Sequence, residues 1–177
     1  MNRFAPGWKA KSLKNLKITK MKILEGKKIL VVDDEPDVLE TVIDLFETTQ
    51  IVTAGSFEDA RKKIAEESFD LVILDIMGVN GLDLLKACRA AKLPAAMLTA
   101  HSLDIESLNS AVRLGAVSFL PKTELHRLPE LVAEILDELE QGRTHWEKLF
   151  QRLGRFFKER LGISWEDDHS KFPPNYY

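Results

Sequence analysis

The chain has 177 residues, 45% hydrophobic and 30% charged, with a formal net charge of -3, a makeup that suits a soluble protein with room for one domain and extensions. No apolar run approaches the ~20 residues of a membrane span, and a lone cysteine, Cys88, excludes a disulfide framework and fits a reducing, cytoplasmic compartment. Charge is strongly segregated: residues 1–28 hold nine Lys/Arg against one Glu, residues 29–142 nine against 22 acidic residues, and residues 143–177 seven against five.

Residues 1–26 form a basic N-terminal extension in which Lys9, Lys11, Lys14, Lys17 and Lys20 stand among few large apolar residues. It lacks the apolar core of a secretory signal, so export is not expected. The stretch reads as a disordered tail, or as sequence upstream of a chain that begins at Met21, where MKILEGKKILVVDD opens a compact pattern. A basic arm that touches anionic partners is the third reading.

From Lys27 the pattern is regular. A first strand, Ile29 to Val32, ends in Asp33 and Asp34, with Glu35 next. Pro36 opens a helix whose Val38, Leu39, Val42, Ile43, Leu45 and Phe46 follow helical spacing. A second strand, IVTAG at 51 to 55, leads to Ser56 as the cap of a helix with Phe57, Ala60 and Ile64 inward. The stretch DLVILDIM, residues 70 to 77, surrounds one aspartate with Leu71, Val72, Ile73, Leu74 and Ile76. It reads as a strand buried on both faces that delivers Asp75 to its C-terminal end. Gly81 precedes a helix carrying Leu82, Leu85 and Cys88, and Pro94 precedes the strand AAMLT, which ends at Thr99. Asp104 starts a helix with Ile105, Leu108, Ala111 and Val112 inward, stopped by Gly115. The fifth strand, AVSFL, runs into Pro121 and Lys122, and a last helix shows Leu128, Leu131, Val132, Ile135, Leu136 and Leu139. Five strands alternating with five helices predict an α/β fold, a doubly wound five-stranded parallel sheet in the flavodoxin-like order 2-1-3-4-5.

Open parallel sheets carry their chemistry just outside the carboxyl ends of the strands. In the expected order those ends gather Asp33, Asp34, Asp75, Thr99 and, one Pro beyond the fifth strand, Lys122. Each has a plainer use alone; an Asp after a strand commonly caps a turn. Together, three carboxylates repel unless a cation neutralises them, and an all-oxygen cluster suits a hard ion such as Mg²⁺. A nucleophilic carboxylate, a metal, a hydroxyl and an ammonium are equipment for accepting a phosphoryl group on Asp75.

Over about residues 27 to 141 the chain resembles the receiver domain of bacterial two-component response regulators (CheY-like). VVDDEPDV matches the acidic pair, LVILDIM the phosphoacceptor, MLTAHS the hydroxyl, and LGAVSFLPK an aromatic three residues ahead of the Lys. The resemblance implies Asp34 as a direct Mg²⁺ ligand, Asp33 as its water-mediated partner and the backbone carbonyl of Met77 as a further ligand. It implies Asp75 as the phosphorylation site, Thr99 and Lys122 as partners of phosphoryl oxygens, and Phe119 as the aromatic whose rotamer reports the state of Thr99. The implied partners are a sensor histidine kinase or phosphotransfer protein and a downstream protein target. The implied activity is a phosphoacceptor switch in a phosphorelay, catalysing only its own phosphorylation and dephosphorylation.

Three departures stand out. Members commonly carry a Pro and a later Gly after the phosphoacceptor, whereas IMGVNG brings Gly81 two residues early, so the loop is shorter. Thr123 rather than Pro follows Lys122, so the family's cis Lys-Pro bond is not expected. Phe119 stands where many members have Tyr and lacks its hydroxyl. A haloacid-dehalogenase type phosphatase would want a second Asp at Met77. A phosphorylation-independent pseudo-receiver acting as a scaffold is the alternative reading, supported by the shortened loop.

Residues 143–177 form a separate C-terminal segment. THWEKLFQRLGRFFKERLG places Trp146, Leu149, Phe150, Leu153, Phe156, Phe157 and Leu161 on one helical face, with basic residues largely off it. That face must pack within the chain, across a homodimer, on a partner or on a membrane surface. The 35 residues after Gly142 read as too few for a DNA-binding output domain with its own core.

Overall fold

Short runs of aliphatic residues, each closed by a turn or a polar residue, pair in parallel because helices cover both sheet faces. The computed structural model describes residues 21–100 and 105–142; the basic tail up to residue 20 and the amphipathic helix expected over 144–161 lie outside the described residues. In chain order the elements are β1 (Lys28–Val32), α1 (Pro36–Leu45), β2 (Gln50–Ala54), α2 (Phe57–Glu66), β3 (Leu71–Asp75), α3 (Gly81–Ala90), β4 (Ala95–Thr99), α4 (Ile105–Leu114), β5 (Ser118–Pro121), a 3-10 segment (Lys122–Arg127) and α5 (Leu128–Glu140). The strand order is β2-β1-β3-β4-β5, as expected from the alternation of elements. Register follows directly, with Val32 opposite Leu74, Asp75 opposite Leu98, and Thr99 opposite Pro121.

The sheet has an apolar layer on each face. One layer joins Leu30, Val32, Val72 and Leu74 to Ala60 and Ile64 of α2, Leu84, Leu85 and Cys88 of α3, and Leu108 and Ala111 of α4. The other joins Ile29, Val31, Leu71 and Ile73 to Val42 of α1 and to Val132, Ile135 and Leu136 of α5. Strand β3 is central, and Leu71, Val72, Ile73 and Leu74 are all fully buried, each stabilising the fold by about 1.5–3 kcal/mol. That packing makes β3 a rigid mount for the aspartate at its end. Among the described residues no helix is long and apolar enough to cross a membrane.

The structure corrects several details. Ile43 is 48% exposed, because it sits about 100° round α1 from fully buried Val42, too far to share its face. Leu84, absent from the expected inward set of α3, is fully buried. Strand β5 begins at Ser118 rather than at Ala116, and β2 spans 50–54 rather than 51–55. A 3-10 turn intervenes between Lys122 and α5, because Pro129 favours the first turn of a helix and α5 therefore starts only at Leu128.

Candidate functional site

The parallel register brings the C-terminal ends of β1, β3, β4 and β5 to one edge of the sheet. Asp33, just past β1, is fully buried, and Asp75, the last residue of β3, is 3% exposed. Asp34 turns outward into solvent. The three can place one carboxylate oxygen each within 4.8 Å of one another.

Lys122, just past β5, reaches into this group. Its Nζ lies 2.8 Å from Asp33 Oδ2, 3.1 Å from Asp75 Oδ1 and 2.7 Å from Glu35 Oε1. Burial works against its charge, but the contacts with Asp33, Glu35 and Asp75 outweigh that and hold the ammonium pKa above its ordinary value. For Asp33 burial wins, pushing the carboxyl above the usual range against the opposing contact of Lys122 and the Glu35 N–H. That N–H donates to Asp33 Oδ1 at 3.0 Å. Asp33 Oδ2 faces Lys122 as an ion pair outside hydrogen-bond geometry, which leaves a buried oxygen without a hydrogen bond.

The loop after β3 holds the other oxygen of Asp75. The backbone N–H groups of Met77 and Gly78 donate to Asp75 Oδ2 at 3.1 and 2.6 Å. The shortened loop closes because two glycines let backbone come close. A Cβ on Gly81 would overlap the Asp75 carbonyl, and one on Gly78 would overlap the Asp34 carboxylate. Asn80, in the left-handed region at φ 52, makes the turn into α3.

Of the residues expected from sequence, Asp33, Asp75 and Lys122 come together as a contacting group, with a carboxylate oxygen of Asp34 within 4.8 Å of those of Asp33 and Asp75. Thr99 ends β4 at the same edge, one residue beyond the Leu98 that pairs with Asp75, and is partly buried. Phe119 is 4% exposed and belongs to the apolar layer against α2, α3 and α4. Met77 is 66% exposed beside Asp75. Two contributors carried no assignment from sequence: Glu35 as a third partner of Lys122, and the Gly78 N–H as the closest donor to Asp75. Glu35 was visible only as a third acid in DDE, and Gly78 only as the first glycine of IMGVNG.

The cluster is also what a hard cation requires. Its donors are all carboxylate oxygens, one carboxylate opens to solvent, and a buried Asp33 oxygen has no hydrogen bond, so the residues present fit Mg²⁺.

The chain is similar to known response regulators. Over 120 residues the chain is 37% identical to the response regulator protein PilR of Pseudomonas aeruginosa, covering 64% of this chain and 27% of that one. Over 103 residues it is 35% identical to the alkaline phosphatase synthesis transcriptional regulatory protein PhoP of Bacillus subtilis, covering 55% and 42%. The chain therefore spans less than half the length of these curated relatives. Among solved structures, a CheY-like response regulator receiver domain protein from Methanospirillum hungatei superposes with a TM-score of 0.61 at 27% identity, over 67% of this chain and 99% of that one. NtrX from Brucella abortus gives 0.57 at 34% identity, over 66% and 28%. The family description of a response regulator receiver domain matches residues 29–135. With that match on the strands that carry Asp33, Asp34, Asp75 and Lys122, the chain belongs to the response regulator receiver domain family.

Proposed function

We propose that the chain is a phosphorylation-dependent switch that accepts one phosphoryl group on Asp75 from a sensor histidine kinase or phosphotransfer protein. The observation that carries this reading is the convergence of Asp33, Glu35 and Asp75 on the one ammonium of Lys122 at the end of a buried strand. Two backbone amides engage Asp75 Oδ2, which leaves Oδ1 as the nucleophile. Its lone pair forms the new O–P bond while the donor's N–P bond breaks and its electrons leave with the imidazole. Lys122, 3.1 Å from Oδ1, stands beside the place where phosphoryl oxygens arrive, and Thr99 lies at the same edge to donate its hydroxyl.

Asp34 would hold Mg²⁺ directly, with Asp33 through water and the Met77 carbonyl as a further ligand. Bound there, the ion supplies positive charge against the charge that develops on the transferring group. Charge added at Asp75 then draws Thr99 and Lys122 toward it, Phe119 follows Thr99, and a changed surface is presented to a downstream protein. The domain that does this is residues 27–142, with 1–26 ahead of it, of which Leu24 packs into the same core, and 143–177 behind it. Incubation with a small phosphodonor and Mg²⁺, read by intact mass, should add one phosphoryl group to the parent and none to Asp75→Asn. An undiminished mass shift in Asp75→Asn, or none in the parent, refutes the assignment.

A further inference from the structure

Strand β2 is one edge of the sheet, and an edge strand is where a second chain adds by main-chain pairing. Along a strand the N–H and C=O of one residue point to one side and those of the next residue to the other. The Gln50 N–H donates to the Lys27 carbonyl at 2.8 Å, and the Ala54 carbonyl accepts from the Asp33 N–H at 3.2 Å. Gln50, Val52 and Ala54 therefore turn their backbone groups toward β1, and Ile51 and Thr53 turn theirs away from the sheet. The strand has little of its own to deter pairing there. From Thr48 to Phe57 there is neither a charged residue nor a proline, and Ile51, Val52 and Thr53 are β-branched residues in a row, a composition that favours strand addition.

A side chain of the neighbouring helix stands over this edge. Lys63 of α2 reaches round to β2, and its Nζ donates to the outward Thr53 carbonyl at 2.9 Å. The lysine is oriented from within α2. Asp59, four residues earlier, pairs with the same ammonium, and the Asp59 N–H donates to Ser56 Oγ at 3.3 Å at the helix start. With the Lys63 side chain 25% exposed and that of Asp59 44% exposed, the pair adds little to stability. Its consequence lies in where it holds the cation, on a backbone oxygen that a strand partner would need.

We infer that Lys63 is a gatekeeper that stops β2 from pairing edge to edge with β2 of a second copy of this chain. Across a two-fold axis the two strands would run antiparallel and exchange main-chain bonds through Ile51 and Thr53. Lys63 occupies the Thr53 carbonyl in each copy, and closing the seam would bring two ammoniums together and strip their water. The uncharged, β-branched edge is thus kept from joining two sheets into one by a charge that the helix supplies and the strand lacks.

Sedimentation velocity of the full chain over a wide range of concentration, joined to amide hydrogen exchange read by NMR, tests this directly. Lys63→Met keeps the length of the side chain but removes its donor and charge, and should self-associate at least about tenfold more tightly than the parent. Lys63→Arg retains both and should match the parent. In Lys63→Met the Ile51 and Thr53 amides should gain protection as concentration rises, which places the new contact on β2. Asp59→Asn releases the lysine without touching it and should shift association in the same direction, so the inference stays testable should Lys63→Met fail to fold. A Lys63→Met protein with the parent's mass at every concentration overturns the inference. So does association that leaves the Ile51 and Thr53 amides unprotected, or a parent in which those amides already gain protection with concentration.

Discussion

Replacing Lys122 with alanine removes the cation that Asp33, Asp75 and Glu35 share, and the three losses are unequal. The Glu35 side chain is 63% exposed, so water screens it and its contact contributes under about 1 kcal/mol. Side-chain exposures of 0% for Asp33 and 5% for Asp75 leave two carboxylates facing each other out of water once the ammonium is gone. Stripping one partner from a buried pair costs about 3–5 kcal/mol. Lys122 is itself 15% exposed, which admits some screening, so the expected loss is about 3 kcal/mol, the lower end of that range. For a domain of this size that lowers the Tm by roughly 10–15 °C. Two conditions should narrow the deficit. Mg²⁺ in excess stabilises the native state by mass action and replaces the missing positive charge. Lower pH acts through Asp33, whose folded pKa lies above its ordinary value because of burial, and Lys122→Ala removes a contact that opposes that rise. A carboxyl with a raised folded pKa favours the folded state below its unfolded pKa and loses that contribution as pH rises through the folded value. The deficit should therefore shrink as pH falls toward about 4 and widen toward neutrality. Thermal melts by far-UV circular dichroism are the appropriate assay, since Trp8, Trp146 and Trp165 all lie outside the described residues. A Lys122→Ala protein that melts with the parent in the absence of Mg²⁺, at neutral pH, would show that the buried carboxylates are not balanced through this side chain.

Asp34→Ala should weaken Mg²⁺ binding more than Asp33→Ala, because a direct ligand loses more than one acting through water; equal affinities by calorimetry contradict the assignment. Gly81→Ala should destabilise the fold by about 2–3 kcal/mol or displace the loop, since its Cβ would overlap the Asp75 backbone. Gly78→Ala would instead displace the movable Asp34 carboxylate, so denaturant melts and Mg²⁺ titrations should separate the two glycines, the first by stability and the second by affinity. The Cys88 thiol is fully buried, and burial pushes its pKa up to about 12, so an aromatic disulfide reagent should label it only as fast as the domain opens. Rapid labelling of the native protein would refute that burial.

The fold was legible because each strand declares itself by composition and each helix by period. KILVV, LVILD and AAMLT are short aliphatic runs in which most residues are buried, a signal that needs no tertiary information. Ile43 shows where period alone fails: at about 100° from Val42 it is close enough to join an apolar list and too far to reach the core. The missed 3-10 segment follows from Pro129, whose preference for a first helical turn delays α5 even though the residues before it are helix formers. Leu84 was overlooked because Leu82, Leu84 and Leu85 crowd one turn, and only packing against the sheet decides which of them turns inward.

The site divides along the same line. Asp33, Asp75 and Lys122 were legible because a strand end fixes where each side chain goes, and the sheet order fixes which ends are neighbours. Glu35 was not, because its part depends on a lysine arriving from 87 positions further along the chain. The amides of Met77 and Gly78 were not, because a backbone N–H has no side-chain signature. Glu35 also alters how the site's charges can rearrange. Three acids, Asp33, Glu35 and Asp75, hold one ammonium, so any further anion at Asp75 must compete for it. Lys122 can let go of exposed Glu35 for under about 1 kcal/mol, whereas leaving buried Asp33 unpaired costs several times more. Glu35 is thus the contact released at least cost, and Glu35→Ala should leave stability within about 1 kcal/mol of the parent while freeing Lys122 to bind an anion at Asp75 more readily. A Glu35→Ala variant as unstable as Lys122→Ala would place the weight of the cluster on the exposed pair and overturn this ordering.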